Sequence, residues 1–136
     1  MNKLSKLKHL VQRAIKGYDD NAVYGFCYWF LDTMPKILND MADSNEYAIP
    51  IDFNTVEEWN QQIREIAGLF REAGEDTCSM KNEYLEDYIH RLFDLGQEAE
   101  LDDRWRVREE EVLQYRRDCL HKAMMLLEKH FDKLWI

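Results

Sequence analysis

The sequence predicts an all-α fold: a bundle of four to five helices, interrupted by one extended connection at about 43–54, with residues 1–136 forming a single helical domain. Three observations carry this expectation. Only five Gly and two Pro punctuate 136 residues, too few for a many-turned β architecture. Apolar residues make up 46% of the chain and include four Trp, seven Tyr and six Phe, enough for a core at this length and unlike a disordered composition. Those residues also recur at alternating three- and four-residue intervals, the repeat that gathers side chains on one helical face.

The first helix is expected from Leu4 to Lys16, with Leu7, Leu10, Val11, Ala14 and Ile15 as its apolar face, closed by Gly17 in the left-handed conformation. Asp19 or Asp20 then caps a second helix, in which Val23, Phe26, Cys27, Phe30, Leu31, Met34, Ile37, Leu38 and Met41 form a stripe. Pro35 lacks an N–H, so this helix is expected to kink near Leu31 or divide in two. Residues 43–54 have no helical period and contain Pro50, which predicts an extended connection that tucks Tyr47, Ile49, Ile51 and Phe53 against the bundle.

Thr55 followed by Glu58 is a capping-box pair, and behind it Val56, Trp59, Ile63, Ile66 and Phe70 set a helix over about 56–73. A fourth amphipathic helix carries Tyr84, Leu85, Tyr88, Ile89, Leu92, Phe93 and Leu95 and ends near Gly96. The last helix, about 103–134, opens with a dense charged stretch. It continues with Leu113, Leu120, Met124, Leu127, Phe131 and Leu134 as the expected buried stripe, its first half more solvated than its second.

Charge is distributed unevenly along the chain. Residues 1–18 carry Lys3, Lys6, Lys8, Arg13 and Lys16 with no acid, leaving 13 of the 18 bases to face all 27 acids, a net of −14 over the remainder. Such an anionic surface repels nucleic acid and predicts no direct nucleic-acid binding. The basic first helix is expected to lay its apolar face on the acidic bundle. No apolar run reaches the roughly 20 residues of a membrane span, and no membrane partner is expected. Residues 1–17 also lack the apolar centre and cleavage site of an export signal. Cys27, Cys78 and Cys119 are odd in number and widely separated, which fits thiols in a reducing cytosol, with Cys27 and Cys119 in apolar surroundings.

Few constellations suggest catalysis. His9, His90, His121 and His130 fall in no zinc-binding spacing, and there is no GxSxG, phosphate loop or dinucleotide fingerprint. The expectation is therefore no catalytic residue, no cofactor and no metal. Two patterns are weighed against it. Glu86, His90 and Asp94 stand at i, i+4 and i+8, a spacing usual for solvated ion-pair faces. Glu83 and Glu86, then Glu100 and Asp103 after 13 intervening residues, resemble the paired carboxylates with which all-α nucleoside triphosphate pyrophosphohydrolases hold Mg²⁺.

Recognition surfaces are easier to nominate. Glu98, Glu100, Asp102, Asp103, Glu109, Glu110 and Glu111 form an anionic stretch suited to a cationic protein partner, interrupted by Arg104, Arg106 and Arg108. Tyr24, Tyr28 and Trp29 belong to a helix too dense in rings for all of them to face one core, and are assigned to a partner contact. The apolar end Leu134, Trp135 and Ile136 offers a contact for a homo-oligomer.

Three stretches, GYDDNAVYGFCYWFLDTMPKIL at 17–38, NTVEEWNQQIREIAGLF at 54–70 and LLEKHFDKLWI at 126–136, resemble a family of small bacteriophage and prophage proteins. Its marks are a Gly-aromatic-acidic turn, a Pro-containing aromatic helix, an EEW helix and a closing Phe-x-x-Leu-Trp. The resemblance implies packing roles for Trp59, Phe131, Leu134 and Trp135 and no catalytic residue. The charged stretch around 80–118 departs from the family pattern. What the resemblance implies is a phage-associated accessory protein in the bacterial cytoplasm that binds a host or phage protein. Its most concrete form is a counter-defence inhibitor that mimics nucleic acid, with a virion or assembly component as the alternative to both this and the hydrolase.

Overall fold

A computed structural model of the chain describes residues 2–95 and 103–135. Among these the fold is all-helical: α1 Lys3–Lys16, α2 Asp20–Tyr24, α3 Phe26–Ser44, α4 Val56–Ala73, α5 Leu85–Leu95 and α6 Asp103–His130, followed by a 3₁₀ turn at Phe131–Lys133. The all-α expectation holds, with six helices in place of four or five.

The core is the packing of α4 between α3 and α6. Trp59, Ile63, Ile66, Ala67 and Phe70 of α4 are fully enclosed, joined by Leu38 and Ala42 of α3 and Ala123 of α6. Phe30 meets Phe70 edge-on, with centroids 5.2 Å apart. Each large apolar side chain so enclosed stabilises the fold by about 1.5–3 kcal/mol relative to exposure. Helix α4 has the predicted bounds and face. Its cap departs from the reciprocal pattern by one residue: Glu58 N–H donates to Thr55 Oγ1 at 3.1 Å, while the Glu58 carboxylate accepts from Asn54 N–H at 3.1 Å.

Several expectations are corrected. The division of the second helix falls at Gly25, where α2 ends and α3 begins, while α3 runs through the buried Pro35 to Ser44. Only the later part of its predicted stripe is core, since Val23, Phe26 and Ile37 are largely exposed and Cys27 is exposed too. On α6 the buried side chains are Val112, Cys119, Ala123 and His130; of the predicted stripe, Leu120, Leu127 and, past the helix, Leu134 pack against the core, whereas Leu113, Met124 and, in the 3₁₀ turn, Phe131 are exposed. Ala123 of α6 and Ala67 of α4 belong to one buried cluster, and small side chains there suit close packing of the two helices. A reading weighted by side-chain size selects the flanks of that contact.

The predicted docking of the first helix does not occur. No residue of α1 is buried, and Leu4 and Ile15 are each 77% exposed. Its local structure follows expectation, with Gly17 at φ 83° donating its N–H to Arg13 O at 3.0 Å. Polar ties hold it to the start of α2. Arg13 pairs with the buried Asp19 at 2.5 Å, Lys8 with Asp20 at 2.8 Å, and Gln12 Nε2 donates to Asp20 at 2.8 Å. Asp19 is the cap, accepting from Asn21 N–H at 2.9 Å.

Candidate protein-interaction surface

The extended connection sits differently from the sequence expectation. Of the four residues meant to tuck inward, Phe53 alone joins the core, 4.9 Å from Trp59 by ring centroid. Tyr47 is 85% and Ile51 96% exposed. The reason is a buried polar lock at the start of the segment. Asn45 Nδ2 donates to Asn60 Oδ1 and to Ala48 O, both at 2.9 Å, and Asn45 Oδ1 accepts from Ala48 N–H at 2.9 Å. Asn60 Nδ2 returns a bond to Asn45 O at 3.1 Å. Satisfying these groups fixes a turn at 45–48 whose tip directs Tyr47 away from the bundle.

The C-terminus completes a groove there. A cleft of about 630 Å³ is lined by Ser44, Asn45, Glu46, Tyr47, Ala48, Ile49 and Trp135. A second, of about 250 Å³, shares Ala48, Ile49 and Trp135 and adds Pro50, Ile51, Trp59 and Lys133. Lys133 pairs with Asp52, joining the 3₁₀ turn to the connection, and Trp135 N–H donates to Lys133 O at 2.9 Å. Trp59 is wholly buried in the wall of the smaller cleft, yet its indole Nε1–H has no acceptor among the described residues.

Tyr24, Tyr28 and Trp29 share a third cleft, of about 530 Å³, with Asp20, Asn21, Gly25 and Asp32. Tyr24 and Tyr28 are exposed and Trp29 is half-buried. Phe26 lies with its ring 5.9 Å from that of Trp29 and 5.8 Å from that of Phe30 by centroid.

The anionic stretch divides. Glu98, Glu100 and Asp102 lie outside the described residues. Asp103, Glu109, Glu110 and Glu111 are exposed at the start of α6, but the intervening cations are engaged with this region. Arg106 pairs with Asp103 at 3.3 Å, and Arg108 bridges Glu83 at 2.9 Å and Glu111 at 3.1 Å. Arg104 lies over the Tyr84 ring at 5.4 Å. Asn82 Nδ2 donates to Glu109 at 2.9 Å. Glu83 and Asp103 do meet, in a cleft of about 360 Å³ with Arg104, Arg108 and Glu111. Arg108 sits between Glu83 and Glu111, and the Glu83 carboxyl is held below its ordinary range by a backbone hydrogen bond first and then by the Arg108 cation beside it. No group of three or more His, Cys, Asp or Glu side chains converges as a metal site among the described residues.

Two polar groups, one partly buried and one buried, escape sequence reasoning. Glu72 accepts from Ser79 Oγ at 2.6 Å, Ser79 N–H at 3.2 Å and Tyr115 OH at 2.8 Å, tying α4 to the following loop and to α6. The carboxylate bond pushes the Tyr115 phenol up to about 12, and the Ser79 hydroxyl chiefly draws the Glu72 carboxyl down. His130 is buried against Trp59 and Phe53, 5.5 and 5.6 Å away by ring centroid, with neither ring nitrogen bonded among the described residues. Burial, then the cations Lys129 and Lys133, lower its pKa.

No family model, no curated protein and no solved structure matches this chain. The surface is thus interpreted from its own chemistry. Trp135 was legible as part of an apolar end, but its partners on the 45–51 segment were not. Their signal was Asn45 at the end of α3 and Asn60 on α4, both polar and both buried.

Proposed function

We propose that this protein is a non-enzymatic accessory protein that acts by binding another protein, and that the Tyr47–Trp135 groove is its contact surface. The observation that carries the proposal is the polar lock of Asn45 and Asn60. It fixes the backbone of a turn while large apolar side chains are left facing water. Pre-ordering of this kind lowers the entropy lost on binding, and Tyr and Trp are the side chains that supply most energy per contact. The fitting ligand is an extended apolar segment of a partner. The motif resemblance to small phage proteins supports an accessory role in a bacterial host. The internal pairing of Arg106 and Arg108 favours this groove over an anionic coat on α6, because paired carboxylates offer a cationic partner less free charge.

A displayed library of random peptides tests the proposal. Apolar sequences should be enriched by the wild-type chain and lost with the Tyr47→Ala, Trp135→Ala double variant. Enrichment that is absent, or unchanged in the double variant, rejects the groove. Turnover of nucleoside triphosphates with Mg²⁺ that disappears on Glu83→Ala would replace the binding role with a catalytic one.

A further inference from the structure

The two clefts beside Trp135 differ in charge, and the difference specifies a ligand. In the larger, Glu46 is the one charged residue of the lining among the described residues, in company with the rings of Tyr47 and Trp135, which are 85% and 66% exposed. Glu46 is itself exposed, and its carboxylate has no ion pair among the described residues. In the smaller cleft the charged residue is Lys133, which Asp52 already neutralises, and Ile49, Pro50 and Ile51 make the rest of that lining largely apolar. We propose that the groove takes a partner segment in which an arginine lies close in sequence to an apolar residue. The arginine enters the larger cleft against Glu46 and the two rings, and the apolar residue enters the smaller. This inference rests on the groove being a protein-contact surface and adds what the contacting segment must carry.

Each part of the larger cleft acts on the same kind of group. A carboxylate attracts a cation by its charge, and an aromatic ring attracts one that lies over its face. A guanidinium suits both, because it is planar, weakly hydrated and able to offer parallel N–H donors to a carboxylate. An ammonium is a compact, strongly hydrated point charge, so arginine is favoured over lysine. The other acids of the segment are already committed: Asp43 pairs with Arg64 at 3.1 Å, and Asp52 with Lys133. Glu46 is the carboxylate of residues 43–52 left for a partner. The net charge of the whole chain, −9, draws a cationic segment towards it and disfavours a second copy of the chain as the occupant. The two clefts share Ala48, Ile49 and Trp135, so one extended segment can fill both with side chains that lie on the same side of its backbone.

Panning displayed random peptides on the full chain, then measuring the most enriched peptide by fluorescence anisotropy, is the test. The wild type should enrich arginine within about two positions of an apolar residue. Replacing that arginine by glutamine in the synthetic peptide should weaken binding roughly three- to tenfold, and added salt should narrow the difference. Both effects should vanish in Glu46→Gln. Charge reversal supplies the decisive arm: Glu46→Lys should enrich aspartate or glutamate where the wild type enriches arginine. Glu46 is exposed, and circular dichroism should show that both variants keep the wild-type helix content. Apolar peptides enriched without arginine, or an arginine preference that both variants retain, overturn this inference while the groove stands. Failure of the wild type to enrich any peptide rejects the groove and this inference with it. A wild-type chain that sediments as a dimer and becomes monomeric on Glu46→Lys puts a second copy in the cleft and also overturns it.

Discussion

Asn45 and Asn60, fifteen residues apart and both buried, hold each other by a reciprocal pair of hydrogen bonds of 2.9 and 3.1 Å. Helix α4 thereby dictates how the chain leaves α3. Removing the Asn60 amide leaves the Asn45 backbone carbonyl and one Asn45 Nδ2 hydrogen without these partners in a buried site, at about 1–3 kcal/mol. Asn60→Ala should accordingly lower the urea midpoint by that free energy, and should also speed proteolysis within 45–52. Loss of stability without increased cleavage there would mean that the amide pair does not govern the turn.

Helices α1 and α4 are both amphipathic, and sequence alone ranks them alike. The structure separates them. Phe70 is fully enclosed while Leu7 is more than half exposed, so Phe70→Ala should cost about 3–5 kcal/mol and Leu7→Ala less than about 0.5 kcal/mol in the monomer. Denaturation at low protein concentration measures both. A Leu7→Ala cost comparable to a core residue would show that α1 docks.

That contrast also marks how far the sequence could be read. The Thr55 cap, the Gly17 stop and the face of α4 follow from local chemistry, and all three are present. What was not legible depends on pairs distant in sequence. Cys119 and Ala123 are buried because another helix passes close, and Tyr47 is exposed because Asn60 restrains a residue two positions before it. Hydrophobic periodicity finds a face but does not say whether anything covers it, which is why α1 was assigned a partner within the chain. Tyr24, Tyr28 and Trp29 were grouped by density alone and do share one cleft.

The Tyr115 hydroxyl bridges α6 to the Glu72 carboxylate of α4 at 2.8 Å. Glu72 keeps two bonds from Ser79 when the phenol is removed, so its carboxylate stays hydrogen-bonded. Tyr115→Phe should cost about 0.5–1.5 kcal/mol. It should also remove from the ultraviolet titration the ionisation near 12 that this carboxylate imposes. An unaltered titration in the variant would place the late-ionising phenol elsewhere.

His130 supplies a pH dependence whose sign is fixed by its surroundings. Burial first, then Lys129 and Lys133, push its folded pKa below the ordinary 6.5, with Asp52 and Asp132 opposing. The unfolded chain therefore takes up the proton first. The stabilisation is complete above 6.5 and is lost as pH falls from there towards the folded value, with a slope of at most about 1.4 kcal/mol per pH unit for one proton. The carboxyls with lowered pKa, Asp19, Asp20, Asp52 and Glu72 among them, lose their contribution only in more acid solution. The interval between is governed by His130. Because neither of its ring nitrogens is bonded among the described residues, His130→Phe retains the aromatic contact with Trp59 and leaves no donor stranded. Urea unfolding across this interval should show the wild type weakening with acid and the variant level. Parallel curves for the two proteins would assign the slope to another group.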